Sequence, residues 1–185
     1  MNSTPIDALR REHANMRSVL ALVARQLDML EATGSADFVL MANALYYMRK
    51  FPGHVHHPKE DLIFDKLEKA DPAWKDEVAK LRSQHQEIYA LEDELVEAAL
   101  DNPRPLTEDA RKLLEKGRRY LKLQREHSEA EEKILFPQAL TALKARDWSE
   151  IAGKVKQVDD PLFGAHNGSR YRLLYEHLMR ESSAV

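Results

Sequence analysis

Four stretches of this chain carry apolar residues at helical spacing, and each is interrupted by a histidine on the face that would otherwise be apolar. In the first, Ile6, Leu9, Met16, Leu20, Val23, Leu27 and Leu30 recur at three- and four-residue steps, and His13 falls within the series 6, 9, 13, 16, 20. That period specifies a helix with one buried face. His85 sits in the same way among Val78, Leu81, Ile88, Leu91 and Leu95. His56 and Glu60, four apart, lead on to Ile63 and Leu67. His127 and Glu131, also four apart, extend a stripe of Leu113, Tyr120, Ile134 and Leu135.

The boundaries follow from capping and breaking residues. Thr4, Pro5 and Asp7 suit a helix start, and Gly34 suits its end, giving a helix over about 5–32. Asp37 is placed to cap a second helix, which Pro52 and Pro58 should bend or interrupt and Asp71-Pro72 should close. A third helix is expected over about 73–100, with a Pro-rich loop at 101–106. A fourth runs from Thr107 to about 145, with a late kink at Pro137. From Asp147 the chain reads as one or two further helices split at 159–164. The expected fold is all-α: an antiparallel up-down four-helix bundle over 1–145, with a C-terminal helical extension, 146–185, on the same domain. Tyr171, Leu174, Leu178 and Met179 give that extension an apolar surface, fit either to cover the bundle or to pair with another copy.

Composition narrows the chemistry. The chain has no cysteine, so any metal must rest on nitrogen and oxygen ligands. A net charge of -3 gives no pull toward nucleic acid or an anionic membrane. No apolar run approaches the roughly 20 residues of a membrane span. Residues 1–5 lack the features of a signal peptide, so the expected location is the cytoplasm. No nucleophilic triad, phosphate loop or dinucleotide fingerprint is present.

A single histidine on an apolar face is usually a hydrogen-bonded core residue. Here every long helix offers one, and two of them add a glutamate one turn further on. An unpartnered buried carboxylate costs several kcal/mol, so two of them beside four imidazoles make sense around cations. A spacing of four stacks His and Glu on one helix face. Two metals would then each take a pair of histidines and share both carboxylates.

The segments Arg11-Glu12-His13, His56-His57-Pro58-Lys59-Glu60-Asp61-Leu62-Ile63-Phe64, Ser83-Gln84-His85 and Glu126-His127-Ser128-Glu129-Ala130-Glu131-Glu132-Lys133-Ile134-Leu135-Phe136-Pro137 resemble the hemerythrin family in its bacterial HHE form. The resemblance covers about 6–140. It implies two non-haem iron ions, oxo- or hydroxo-bridged, held by His13, His56, Glu60, His85, His127 and Glu131. Zinc and manganese are the less favoured metals for such donors. It further implies binding or sensing of O2, NO or a peroxide. A second reading is iron handling or repair of damaged iron centres, and a third is a purely structural module with satisfied core histidines. The animal oxygen carriers have two histidines four apart in the third helix; here Tyr89 stands four after His85. That departure argues against simple reversible O2 carriage, since a tyrosine beside iron can donate a proton or be oxidised.

Two choices stay open on the sequence. His57 and Asp61 are also four apart and compete with His56 and Glu60, which are preferred because Ile63 and Leu67 share their face. Glu132 competes with Glu131. His54, His57, His166 and His177 are otherwise expected at the surface or behind the ligands. Glu12, Asp61, Glu126 and Glu132 are candidates to receive the second ring N–H of a ligating histidine. Asn167-Gly168-Ser169 has the glycosylation pattern but no secretory signal with it.

Overall fold

The computed structural model describes residues 5–101, 107–156, 158–164 and 171–182, and the regular structure among them is entirely helical. Helix α1 (Pro5–Thr33) buries Ile6, Leu9, Met16, Val19, Leu22, Val23, Leu27 and Leu30 along one side. It ends at Gly34, whose φ of 72° lets its amide turn back to the Leu30 carbonyl at 2.9 Å. Helix α2 (Phe38–Phe51) starts under Asp37, whose carboxylate accepts from the Leu40 amide at 2.8 Å.

At Pro52 the second helical stretch widens instead of breaking. Pro52–His56 is a π-turn, with the His57 amide bonded to the Pro52 carbonyl, and helix α3 (His57–Ala70) continues from it. Asp71 then caps a single 3-10 turn, Pro72–Trp74, before α4 (Lys75–Leu100). Thr107 caps α5 (Glu108–Ala130), accepting from the Ala110 amide. A second π-turn, Glu131–Leu135, leads into α6 (Phe136–Ala142). Each π-turn hands over to α-helix one residue before a proline, Pro58 and Pro137. The inserted residue leaves a carbonyl without its usual amide, and proline has no N–H to offer it.

The widened turns bring two consecutive residues to the inside. His56 and His57 are both buried at the first, and Leu135 and Phe136 at the second. The same rotation of the helical face turns Ile134 out, 41% exposed, although its position in the apolar series predicts the inner face. The fourth helix also ends earlier than the expected 145, because Leu143 is extended.

Helices α1, α2, α4 and α5 close a ring of contacts: α1 on α2, α2 on α4, α4 on α5, and α5 on α1. Each fully buried Leu, Ile or Phe in that interior contributes roughly 1.5–3 kcal/mol. Gly117 sets the α1–α5 approach, since a Cβ there would lie 2.6 Å from a Leu27 methyl. Helix α7 (Ala145–Lys154) packs on α1 and α3, and α8 (Arg172–Ser182) packs on α2 and α1. Tyr171, Leu174 and Leu178 are buried there, while Met179 remains 45% exposed. No helix among the described residues is long and apolar enough to cross a membrane. Thr4, the loop 102–106, His166 and the tripeptide 167–169 lie outside the described residues.

Candidate metal centre

α1, α3, α4, α5 and the two π-turns meet around one polar point. His13, His56, His57, Glu60, His85, His127 and Glu131 are all buried. One set of ligand atoms, from His57, Glu60, His85 and His127, lies within 4.8 Å of one another; a second comes from His13, His56 and Glu60. Glu60 belongs to both. Its Oε1 lies 2.9 Å from His56 Nε2 and 3.5 Å from His13 Nε2, while its Oε2 faces His85 Nε2 at 3.6 Å. Glu131 is split likewise: Oε2 lies 3.4 Å from His13 Nε2, and Oε1 lies 3.2 Å from His127 Nε2. Each carboxylate therefore spans the two histidine groups.

The outer edges of the rings fix which nitrogen points inward. His13 Nδ1 lies 2.9 Å from Glu132 Oε1, His56 Nδ1 2.8 Å from Glu12 Oε2, and His127 Nδ1 3.1 Å from Gln84 Oε1. His57 Nδ1 lies 2.6 Å from the Tyr89 hydroxyl. With Nδ1 donating to these acceptors, Nε2 presents a lone pair to the interior.

Nothing among the described residues satisfies what converges there. His56 Nε2 and all four oxygens of Glu60 and Glu131 are buried without a hydrogen-bond partner; the 2.9 Å approach of His56 to Glu60 lacks hydrogen-bond geometry. His85 Nε2 and His127 Nε2 face each other at 3.0 Å. Donors bound at right angles to a common metal at about 2.1 Å would stand about 3.0 Å apart. Orphaned acceptors at such spacings fit cations. Without them, the protein recruits protons. Burial alone would lower His13, but the carboxylates of Glu131 and Glu60, 3.4 and 3.5 Å from its Nε2, lift it to about 10. His56 is raised as well: the Glu60 charge and the Glu12 and Glu60 contacts outweigh its burial. His57 and His85 are driven toward the neutral form, chiefly by burial. Burial would raise both carboxyls, and for Glu131 the Glu60 charge adds to it. The neighbouring imidazoles nevertheless hold both low: His56 and His13 beside Glu60, His127 and His13 beside Glu131.

Residues 4–139 match the family profile of the hemerythrin HHE cation binding domain. The chain belongs to the hemerythrin HHE family. No curated protein matches it significantly.

All six residues that the hemerythrin pattern marks in the sequence, His13, His56, Glu60, His85, His127 and Glu131, are brought together. His57, the alternative to His56 in the sequence, is buried in the cluster beside it, so the clustered histidines stand two and three instead of two and two. Asp61 is outside the cluster, 3.3 Å from Arg82, which also meets Asp65 at 2.6 Å and Glu68 at 3.3 Å. Glu132 stands behind His13, where Arg17 holds it at 2.9 Å. Glu12 stands behind His56 and is paired with Lys59. Glu126 faces Lys122 at the surface, and His54 is exposed with its ring on the Lys50 carbonyl. Tyr89 has Arg49 over its ring at 4.8 Å and passes close over Gly53, where a Cβ would lie 3.2 Å from the tyrosine ring.

One further acid is buried where no metal-ligand spacing marks it in the sequence. Glu92 has no exposed surface and lies against Tyr120 and Gln124. The signal was present: 81, 85, 88, 92, 95 is one helical series, with Glu92 two turns beyond His85.

Proposed function

We propose that this hemerythrin-like chain holds two non-haem iron ions and binds O2, NO or a peroxide at them. The reading rests chiefly on the four unpartnered oxygens of Glu60 and Glu131, buried among five inward imidazole nitrogens. His13 and His56 would hold one ion, His57, His85 and His127 the other, and the two carboxylates would bridge them. In an antiparallel up-down bundle, α1, α3 with its π-turn, α4, and α5 with its π-turn would each supply one wall to such a pair. Iron there would supply the change of oxidation state and the free coordination position that a small oxidant or diatomic ligand requires.

The chain's own residues do the rest. Glu132, Glu12, Tyr89 and Gln84 each hold one imidazole by its outer nitrogen and so fix its tautomer and direction. Ile6, Leu9, Ile63 and Phe136 pack beside the cluster and keep bulk water away. The two-histidine side has fewer protein donors, and therefore more room for an added ligand. Two surface depressions reach the acids that back His56 and His13. One, of about 370 Å³, is lined by Glu12, Asn15 and Phe51; another, of about 620 Å³, by Arg17, Leu121 and Glu132.

The test is iron loading under anaerobic conditions followed by air. The expected result is about two iron per chain and new absorption in the near-ultraviolet and visible. A colourless, zinc-filled protein from iron-replete cells would refute the reading.

A further inference from the structure

Between α4 and α5, away from the histidine cluster, lies a second buried polar group. Tyr120 Oη donates to Glu92 Oε1 at 2.9 Å. Gln124 Nε2 reaches the same oxygen at 3.3 Å and Tyr120 Oη at 3.2 Å. Tyr120 and Glu92 have no exposed surface, and Glu92 Oε2 is without a hydrogen-bond partner among the described residues. A half-satisfied carboxyl in the core destabilises the fold, and this one caps no helix and joins no ion pair among the described residues. Tyr47 makes the useful contrast. Its hydroxyl meets Asp160 at 2.9 Å, but Asp160 also accepts the Leu162 and Phe163 amides and so builds a turn. Glu92 builds nothing. It stands two helical turns from His85, and Tyr120 two turns from His127, about 10 Å along each helix.

We propose that Tyr120 is a one-electron donor to the metal centre and that Glu92 receives its proton. This rests on the iron reading above. Tyr120 gives up an electron from its ring as its Oη–H bond breaks, and iron held by the histidine cluster would receive it. The proton crosses the 2.9 Å contact and forms an O–H bond at Glu92 Oε1. The oxidant is hydrogen peroxide. Its reduction to two waters takes two electrons and two protons: Tyr120 gives one electron, bound iron would supply the other, and the protons come from solvent. A one-electron reductant of the ascorbate or phenol class restores the tyrosine, and Glu92 returns the proton. Gln124 keeps the two oxygens in register. Burial lifts the Glu92 carboxyl to about 8; Tyr120 and Gln124 on α5, Arg49 on α2 and Asp93 on α4 are the groups acting on it. The carboxylate that accepts the proton is the form present above that pH.

The experiment mixes iron-loaded protein of measured iron content with hydrogen peroxide at about pH 9, one unit above the Glu92 transition. Samples are frozen and examined by electron paramagnetic resonance. The expected signal is a tyrosyl radical whose splitting collapses with ring-deuterated tyrosine. Tyr120→Phe loses it, Glu92→Gln loses most of it, and Tyr47→Phe keeps it. Iron-bound protein without a tyrosyl signal overturns this proposal alone. So does a signal that survives Tyr120→Phe, or one that Glu92→Gln leaves unchanged. If Tyr120→Phe fails to fold, the Glu92→Gln comparison decides. Protein that takes up no iron overturns the iron reading and this proposal together.

Discussion

Glu60, Glu131 and Glu92 are equally inaccessible to water, yet their carboxyls are held in opposite states. Glu60 and Glu131 stay ionised because imidazoles surround them, His56, His13 and His127 foremost. Glu92 has only a phenol and an amide beside it, and burial carries it up to about 8. Burial is common to all three, so the neighbours decide. One region is built to keep negative charge and therefore calls for cations; the other keeps a proton in a dry core.

The largest expected effect comes from removing a shared carboxylate. Glu60→Ala takes away oxygens that face both histidine groups, and iron content after purification should fall to a small fraction of the unmodified protein's. Full retention would break the comparison at its stronger side.

Next is Glu92→Gln, measured by urea unfolding of the metal-free protein across pH. In the fold Glu92 keeps its proton to about 8, while in the unfolded chain it ionises near 4.5. Between those values the unfolded state binds fewer protons, so stability falls as pH rises through the window and levels off above it. The glutamine variant does not titrate. It should be more stable by about 3–5 kcal/mol at about pH 9, with the difference gone below about pH 4.5. Equal stability at both ends would show that Glu92 is not held neutral.

Smaller effects separate the two halves of the cluster. Glu12→Gln weakens the support of His56 and should lower metal affinity about 10–100-fold, on the two-histidine side only. Competition with a calibrated chelator would show one weakened and one unchanged binding step. The smallest effect is proton release. His13 is held to about 10 without metal, so its proton must leave when a cation binds. Affinity on that side should rise about tenfold per pH unit for each proton displaced, below the His13 value. Calorimetry in buffers of different ionisation enthalpy measures the number released.

Much of this was legible in the sequence, for physical reasons. The apolar period gave the long helices, and Asp37, Thr107 and Gly34 marked boundaries through side-chain caps and a positive φ. The histidines at 13, 85 and 127 interrupt that period, so their inward direction follows from it. His57 was hidden because neighbours on a regular α-helix point about 100° apart, which forces a choice between 56 and 57. The π-turn removes the need to choose, and the only sequence hints are Pro52 and Pro58. The second π-turn hid the fate of Ile134 in the same manner. Glu92 lies on the same apolar series as His85, but with no partner at metal-ligand spacing a glutamate there looks like any other on a charge-rich helix.

The central claim is that five histidines and two glutamates hold two metal ions, with His57 among the ligands. Anomalous diffraction at the iron edge from iron-loaded crystals tests it most directly. Two peaks are predicted, one beside His13 and His56 and one among His57, His85 and His127, with Glu60 and Glu131 between them. No peak, a single peak, or a His57 ring turned away from the metal would contradict it.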